Sequence, residues 1–150
     1  MEILFVCTGN TCRSPMAEGI LKDLSYKNNL NIQVYSAGIF ALEGDISSNS
    51  ITALDKIGID ISDYKAKPIT NNMLQSADLV LTMSKSHKEY LLHQHPNYED
   101  KIFTLKEYVY KNDEDIMDPY GGDLKLYLEV RNDILKSIMD LLKKEDLIWK

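Results

Sequence analysis

Cysteine is nearly absent: the chain holds 2, and both fall in the stretch VCTGNTCRSP, residues 6–15. That rules out a disulfide framework. Histidine is scarce too, 3 in all and scattered, without the paired spacing of a metal site. Long apolar runs are missing. None approaches the roughly 20 residues a membrane helix needs. The opening MEILFVC lacks both the basic start and the length of a secretion signal. Basic charge is in deficit: 17 Lys and Arg stand against 23 Asp and Glu, a net charge of −6. Nonspecific nucleic-acid binding needs a concentrated basic surface to displace counterions, so no nucleic-acid partner is expected. Repeats, low-complexity tracts and linkers are lacking. These absences point to a cytoplasmic protein with reduced thiols and no membrane partner. Residues 1–150 are expected to form a single domain around one core.

What is present alternates between strand and helix patterns. Residues 2–7 (EILFVC) read as a buried strand. Ser14-Pro15 reads as a helix start, with Ser14 as N-cap and Pro15 at the first helical position. Met16, Ala17, Ile20, Leu21 and Leu24 then recur at helical spacing. Further strands are expected at 32–36, 78–83 and 101–105. Further helices are expected at 48–57, closed by Gly58, at 84–93, and at 123–144. His87, His93 and His95 fall on or after the second of these and read as surface residues. Such alternation implies an α/β fold with a parallel sheet. Ligands of such sheets gather beyond the carboxyl ends of the strands. Cys7, Ser36, Ser84 and the 108–122 loop all follow predicted strands, so they are expected to converge there.

The loop between the first strand and the first helix carries the chemistry. Thr8, Gly9, Asn10, Thr11 and Cys12 separate Cys7 from Arg13, and the helix begins at once. A loop of this kind turns successive N–H groups inward, and the helix adds its positive end. The result suits a tetrahedral oxyanion. Gly9 permits backbone angles other residues resist, and Asn10 tolerates the left-handed region. Arg13 can fork donors onto phosphate oxygens. The same field favours a sulfur anion at Cys7, the nucleophilic form of the thiol. The Gly-Lys-Ser/Thr of a nucleotide-binding phosphate loop is absent. A nucleophile also needs a proton donor for its leaving group. Asp118, in IMDPYGG (116–122), is the candidate general acid.

These residues resemble the low-molecular-weight protein tyrosine phosphatase family. That family carries a Cys-x5-Arg-Ser loop near its start and an Asp-Pro near its end. The resemblance extends to SAG at 36–38 and ADLVLTM at 77–83. It implies a four-stranded parallel sheet flanked by helices on both faces. It implies Cys7 as nucleophile, Arg13 as phosphate clamp, and Asp118 as acid and then base. Asn10 would hold the loop, Ser36 would bond to it, and Ser14 would donate to the Cys7 sulfur. Thr8 to Ser14 would line the phosphate site. Neither metal nor cofactor is implied. Cys12 would trap an oxidised nucleophile as a disulfide. One departure concerns a histidine that many members carry before the third strand. Here SDYKAKPIT (62–70) has none, and Tyr64 or a neighbour takes its place.

Thr11 and the segment after Pro119 bear on the substrate. The tyrosine phosphatases usually place an apolar residue where this chain has Thr11, and follow Asp-Pro with two aromatics. Here Tyr120 is followed by Gly121 and Gly122. Both features resemble the bacterial protein-arginine-phosphatase branch. The expectation is removal of phosphate from phosphoarginine in proteins, with phosphotyrosine as the alternative substrate. An arsenate-reductase or phosphocarrier role fits poorly. No cysteine beyond Cys12 could complete a redox relay, and a carrier would not need both Arg13 and Asp118. Phosphorylated proteins are the expected partners, and the chain itself is expected to be a monomer or weak dimer.

Overall fold

A computed structural model describes residues 1–147. In chain order the strands are β1 (Glu2–Cys7), β2 (Gln33–Gly38), β3 (Gly44–Asp45), β4 (Lys65–Ala66), β5 (Leu79–Thr82) and β6 (Ile102–Thr104). The helices are α1 (Arg13–Lys27), α2 (Ser48–Asp55), α3 (Asn71–Ser76), α4 (Lys85–Gln94), α5 (Leu105–Tyr110) and α6 (Leu124–Lys144). The main sheet has 4 strands in the order β2-β1-β5-β6, all parallel. β3 and β4 form a separate antiparallel pair. Among the described residues, no helix is long and apolar enough to cross a membrane.

β1 is central and covered on both faces, which explains its unbroken apolar run. Ile3, Phe5 and Cys7 turn toward a cluster with Met16, Ile20 and Leu21 of α1 and Ile134 and Ile138 of α6. Leu4 and Val6 turn the other way, toward Leu74 of α3 and Leu91 of α4. The α/β fold with helices on both sides is therefore the one expected. The register aligns the strand ends. Cys7 pairs with Gly38, Val6 with Thr82, and Thr82 with Thr104. Strand order reverses between β1 and β5, so the crevice opens at the carboxyl end of β1.

The structure departs from the expected elements in three places. α1 begins at Arg13, after Cys12 at its cap, and no side chain caps it. Ser14 therefore lies inside the first turn, and its hydroxyl faces Cys7 instead of a helix amide. α3 and the β3–β4 pair are too short to leave a periodic signal. α5 follows β6 without a break, Thr104 accepting from the Glu107 amide as its cap. It takes up the start of the expected 108–122 loop. By contrast, α6 matches its expected span closely, and Asp123 caps it by accepting from the Leu126 amide.

The end of β2 presses against the loop that leaves β1. A Cβ on Gly38 would lie 2.6 Å from the Thr8 carbonyl oxygen and 2.8 Å from the Asn10 nitrogen. Both are backbone atoms and neither can swing aside. Gly38→Ala is expected to cost on the order of 1–3 kcal/mol, as overpacking does. For a chain of this size that lowers the melting temperature by roughly 3–10 °C. Calorimetry checks this, and an unchanged melting temperature contradicts the close approach.

Candidate active site

The carboxyl end of β1 delivers Cys7, and the first turn of α1 delivers Arg13 and Ser14 to the same place. Cys7 Sγ lies 2.9 Å from Ser14 Oγ. Ser14 Oγ also accepts a hydrogen bond from Asn10 Nδ2 at 2.8 Å. That leaves the Ser14 proton free to point at sulfur, an arrangement that stabilises a sulfur anion. Both cysteines are free thiols and both are buried.

Asn10 organises the loop. Its φ of 53° places it in the left-handed region, which asparagine tolerates. Gly9 needs no such freedom; the only glycines with positive φ among the described residues are Gly58 and Gly121. Asn10 Nδ2 also donates to Ser36 Oγ at 2.9 Å, and Oδ1 accepts from the Lys67 amide at 3.0 Å. Ser36 in turn donates to Glu18 Oε1 at 2.6 Å. Glu18 is buried in α1 and its other oxygen pairs with Lys22. The segment before β5 therefore steadies Asn10 through the Lys67 backbone. Tyr64 packs beneath the Lys22 ammonium instead.

Arg13 is almost fully buried. Its Nη1 donates to the Ile116 carbonyl at 2.9 Å, and Nη2 stands 3.6 Å from Asp118 Oδ2. Ile116 is itself tied to the residue that follows β5, its amide donating to the Met83 carbonyl at 2.9 Å. Asp118 keeps its carboxylate half in solvent, at 53% exposure. Its Oδ1 accepts from the Tyr120 amide at 3.1 Å, which shapes the turn. Among the described residues, the backbone N–H groups of Thr8, Gly9, Asn10, Thr11, Cys12 and Arg13 have no protein acceptor. A run of free donors beside a buried guanidinium is a receptor for an anion.

These groups border a cleft of about 540 Å³, lined by Cys7, Gly9, Thr11, Arg13, Asp118 and Tyr120 among others. Phe40 and Leu42 form an exposed apolar rim. Cys12 Sγ lies 3.3 Å from the Tyr127 hydroxyl. Burial and that contact push the Tyr127 phenol up to about 12. Among the described residues, no trio of His, Cys, Asp or Glu side chains is gathered to hold a metal ion.

The structure thus brings together Cys7, Arg13, Ser14, Ser36 through Asn10, and the loop bearing Asp118 and Tyr120. Ser84 joins through a residue the sequence reading misplaced. His93 is exposed and His95 half-buried, but His87 is buried. Its Nε2 lies 2.8 Å from Thr8 Oγ1, and its Nδ1 2.8 Å from Ser84 Oγ. The signal was Ser84 at a strand end with a histidine one turn later. Glu18, Ile116 and Tyr127 also escaped the reading. A carboxylate among the apolar positions of α1 was the only mark of Glu18.

Burial, and then the Arg13 charge, lower the His87 pKa from 6.5 to about 4, while Asp115 and Asp118 oppose this. The folded protein therefore holds His87 neutral where the unfolded chain is protonated. Stability is expected to fall as pH drops from 6.5 toward 4 and to be fully present above 6.5. Urea midpoints at the two ends of that window measure the slope. The His87→Gln variant should lose part of it, and an unaltered slope contradicts a neutral, buried imidazole.

Comparison with known proteins places this geometry. Residues 2–147 match the family described as low molecular weight phosphotyrosine protein phosphatase. A protein-arginine-phosphatase of Bacillus subtilis is 41% identical over 145 residues, covering 96% of each chain. A low molecular weight protein tyrosine phosphatase from T. tengcongensis is 48% identical, with a TM-score of 0.93, covering 96% of this chain and 99% of its own. A cysteine-to-serine mutant of the YwlE arginine phosphatase, with its active-site serine phosphorylated, superposes with a TM-score of 0.94. It is 40% identical and is covered over 96% of its length, against 97% of this chain. The chain belongs to the low molecular weight phosphotyrosine protein phosphatase family.

Proposed function

We propose that the chain is a cysteine-dependent protein phosphatase that removes phosphate from phosphoarginine in proteins. One observation carries the substrate: the Thr11 side chain and the Asp118 carboxylate line the same cleft as Cys7 and Arg13. A phosphoarginine side chain is narrow and planar, and its N–H groups need acceptors. Thr11 and Asp118 supply them. The arginine phosphatase of Bacillus subtilis, at 41% identity, supports the same reading.

The steps follow from the residues. The free N–H groups of Thr8 to Arg13 and the Arg13 guanidinium receive the phosphoryl oxygens. The Cys7 sulfur anion, stabilised by Ser14, attacks phosphorus in line with the leaving nitrogen. The S–P bond forms and the N–P bond breaks. The departing guanidine nitrogen takes its proton from Asp118. A water then gives a proton to the Asp118 carboxylate and its oxygen attacks the phosphocysteine. The S–P bond breaks, orthophosphate leaves, and the thiolate and protonated Asp118 are restored. Cys12 protects the site: once an oxidant turns Cys7 into a sulfenic acid, the Cys12 thiol condenses with it to a disulfide and water. Residues 1–150 act as one cytoplasmic domain, monomeric or weakly dimeric, on phosphorylated protein substrates.

A second reading has its own observation. Tyr120 presents an 80% exposed ring at the cleft, a surface on which a phenol could stack. The T. tengcongensis protein, at 48% identity, is described as a tyrosine phosphatase. Steady-state kinetics on matched phosphoproteins separate the two. Phosphoarginine is expected to be hydrolysed well above phosphotyrosine, and equal turnover overturns the arginine reading. Thr11→Ile leaves buried N–H groups of the substrate unpaired, at about 1–3 kcal/mol. That is roughly a 5- to 150-fold shift of preference toward phosphotyrosine. Cys7→Ser is expected to abolish turnover. Asp118→Ala should reduce it by roughly 10²–10⁴-fold. Substantial activity in the Cys7→Ser protein rejects the whole scheme.

A further inference from the structure

The side chains of Ser84, His87 and Thr8 have no part in the steps above, yet their hydrogen-bonded chain ends on the residue next to the nucleophile. Ser84 lies two residues beyond β5 and caps α4, accepting the His87 amide at 3.4 Å. Its backbone is pinned by Thr82 Oγ1, which donates to the Ser84 carbonyl at 2.8 Å. The His87 ring spans from Ser84 Oγ to Thr8 Oγ1 with a 2.8 Å contact at each nitrogen. Thr8 is held from the other side as well, its carbonyl accepting the Phe40 amide at 2.9 Å. Thr8 lines the cleft, and among the described residues its hydroxyl has no partner other than His87.

Proton placement then decides what Thr8 offers to a ligand. A neutral imidazole has one N–H and one bare nitrogen. If Nδ1 carries the proton, Nε2 is bare and the Thr8 O–H is consumed on it. Thr8 then shows only lone pairs to the cleft. If Nε2 carries the proton, it donates to Thr8 Oγ1, Ser84 donates to Nδ1, and the Thr8 proton is free. Ser84 can do this without loss, because its oxygen still accepts the His87 amide and lies 2.9 Å from the Ser86 hydroxyl. A phosphoryl dianion in the cleft repels lone pairs and attracts a hydroxyl proton. Anion binding therefore selects the second arrangement.

Resting on the phosphatase reading of the cleft, we propose that His87 is a positioning residue that holds the Nε2–H tautomer and turns the Thr8 hydroxyl proton onto a phosphoryl oxygen. Arg13, Asp115 and Asp118 are the charges that act on the ring. Its burial and the Arg13 charge keep it uncharged down to about pH 4, so it carries one proton throughout the working range.

Ring nitrogen shifts of His87 in 15N-labelled protein, with and without saturating orthophosphate, test this directly. The phosphate-bound protein is expected to show Nε2–H, and an Nδ1–H ring in that state overturns the proposal. Kinetics give an independent arm. Thr8→Val and His87→Leu should each lower kcat/KM by roughly 10–100-fold, the effect of one lost donor. The double variant should lose no more than either alone. His87→Gln, whose amide N–H can reach the Nε2 position, should recover most of the His87→Leu loss. Additive losses, or no recovery by glutamine, overturn it. If the wild-type enzyme turned over neither phosphoamino acid, the proposed function would fall, while the phosphate-bound tautomer would still decide the His87 assignment.

Discussion

One side chain, Asn10, ties the loop to three other parts of the fold at once. It takes the left-handed backbone turn itself, and its amide is bonded to Ser14, Ser36 and the Lys67 backbone. At 1% exposure, each of those bonds replaces water that cannot reach it. A buried amide left unpaired is costly, so the loop, α1, β2 and the segment before β5 are locked together. The position of the Ser14 proton relative to Cys7 follows from this lock. So does the availability of the loop amides, which spend no donor on the protein.

Charge is handled locally. The chain is acidic overall, at −6, yet the cleft is built for an anion. Arg13 is the reason, together with the way it is held. Its anchor is the neutral Ile116 carbonyl, while the nearest carboxylate, on Asp118, stands off at 3.6 Å. A tight carboxylate partner would neutralise the guanidinium that a phosphoryl group needs. A backbone carbonyl fixes its orientation and leaves its charge available. After burial, the same charge helps keep His87 neutral.

Much of the fold is legible in the sequence pattern. The run EILFVC marked a strand covered on both faces, and the long apolar period at the end of the chain marked α6. The reading failed where the local signal was weak or ambiguous. Ser14-Pro15 looks like a helix cap because serine at such a place usually bonds an amide. Here the helix starts two residues earlier, and the hydroxyl serves sulfur instead. His87 looked like a surface residue because α4 is short and polar. Its burial comes from packing against the loop after β1, which α4 alone does not foretell.

The sequence by itself determined the chemistry of the loop: a cysteine at a strand end, an arginine at a helix start, and a spacing that leaves room for a ring of amides between them. Spacing along the chain is local, and local geometry is limited by backbone sterics. Only the tertiary structure decided what surrounds that loop. Glu18, Lys67, His87, Ile116 and Tyr127 reach it through contacts between elements far apart in the chain. A buried hydrogen bond depends on which groups packing places face to face once water is gone, and no spacing along the chain encodes that.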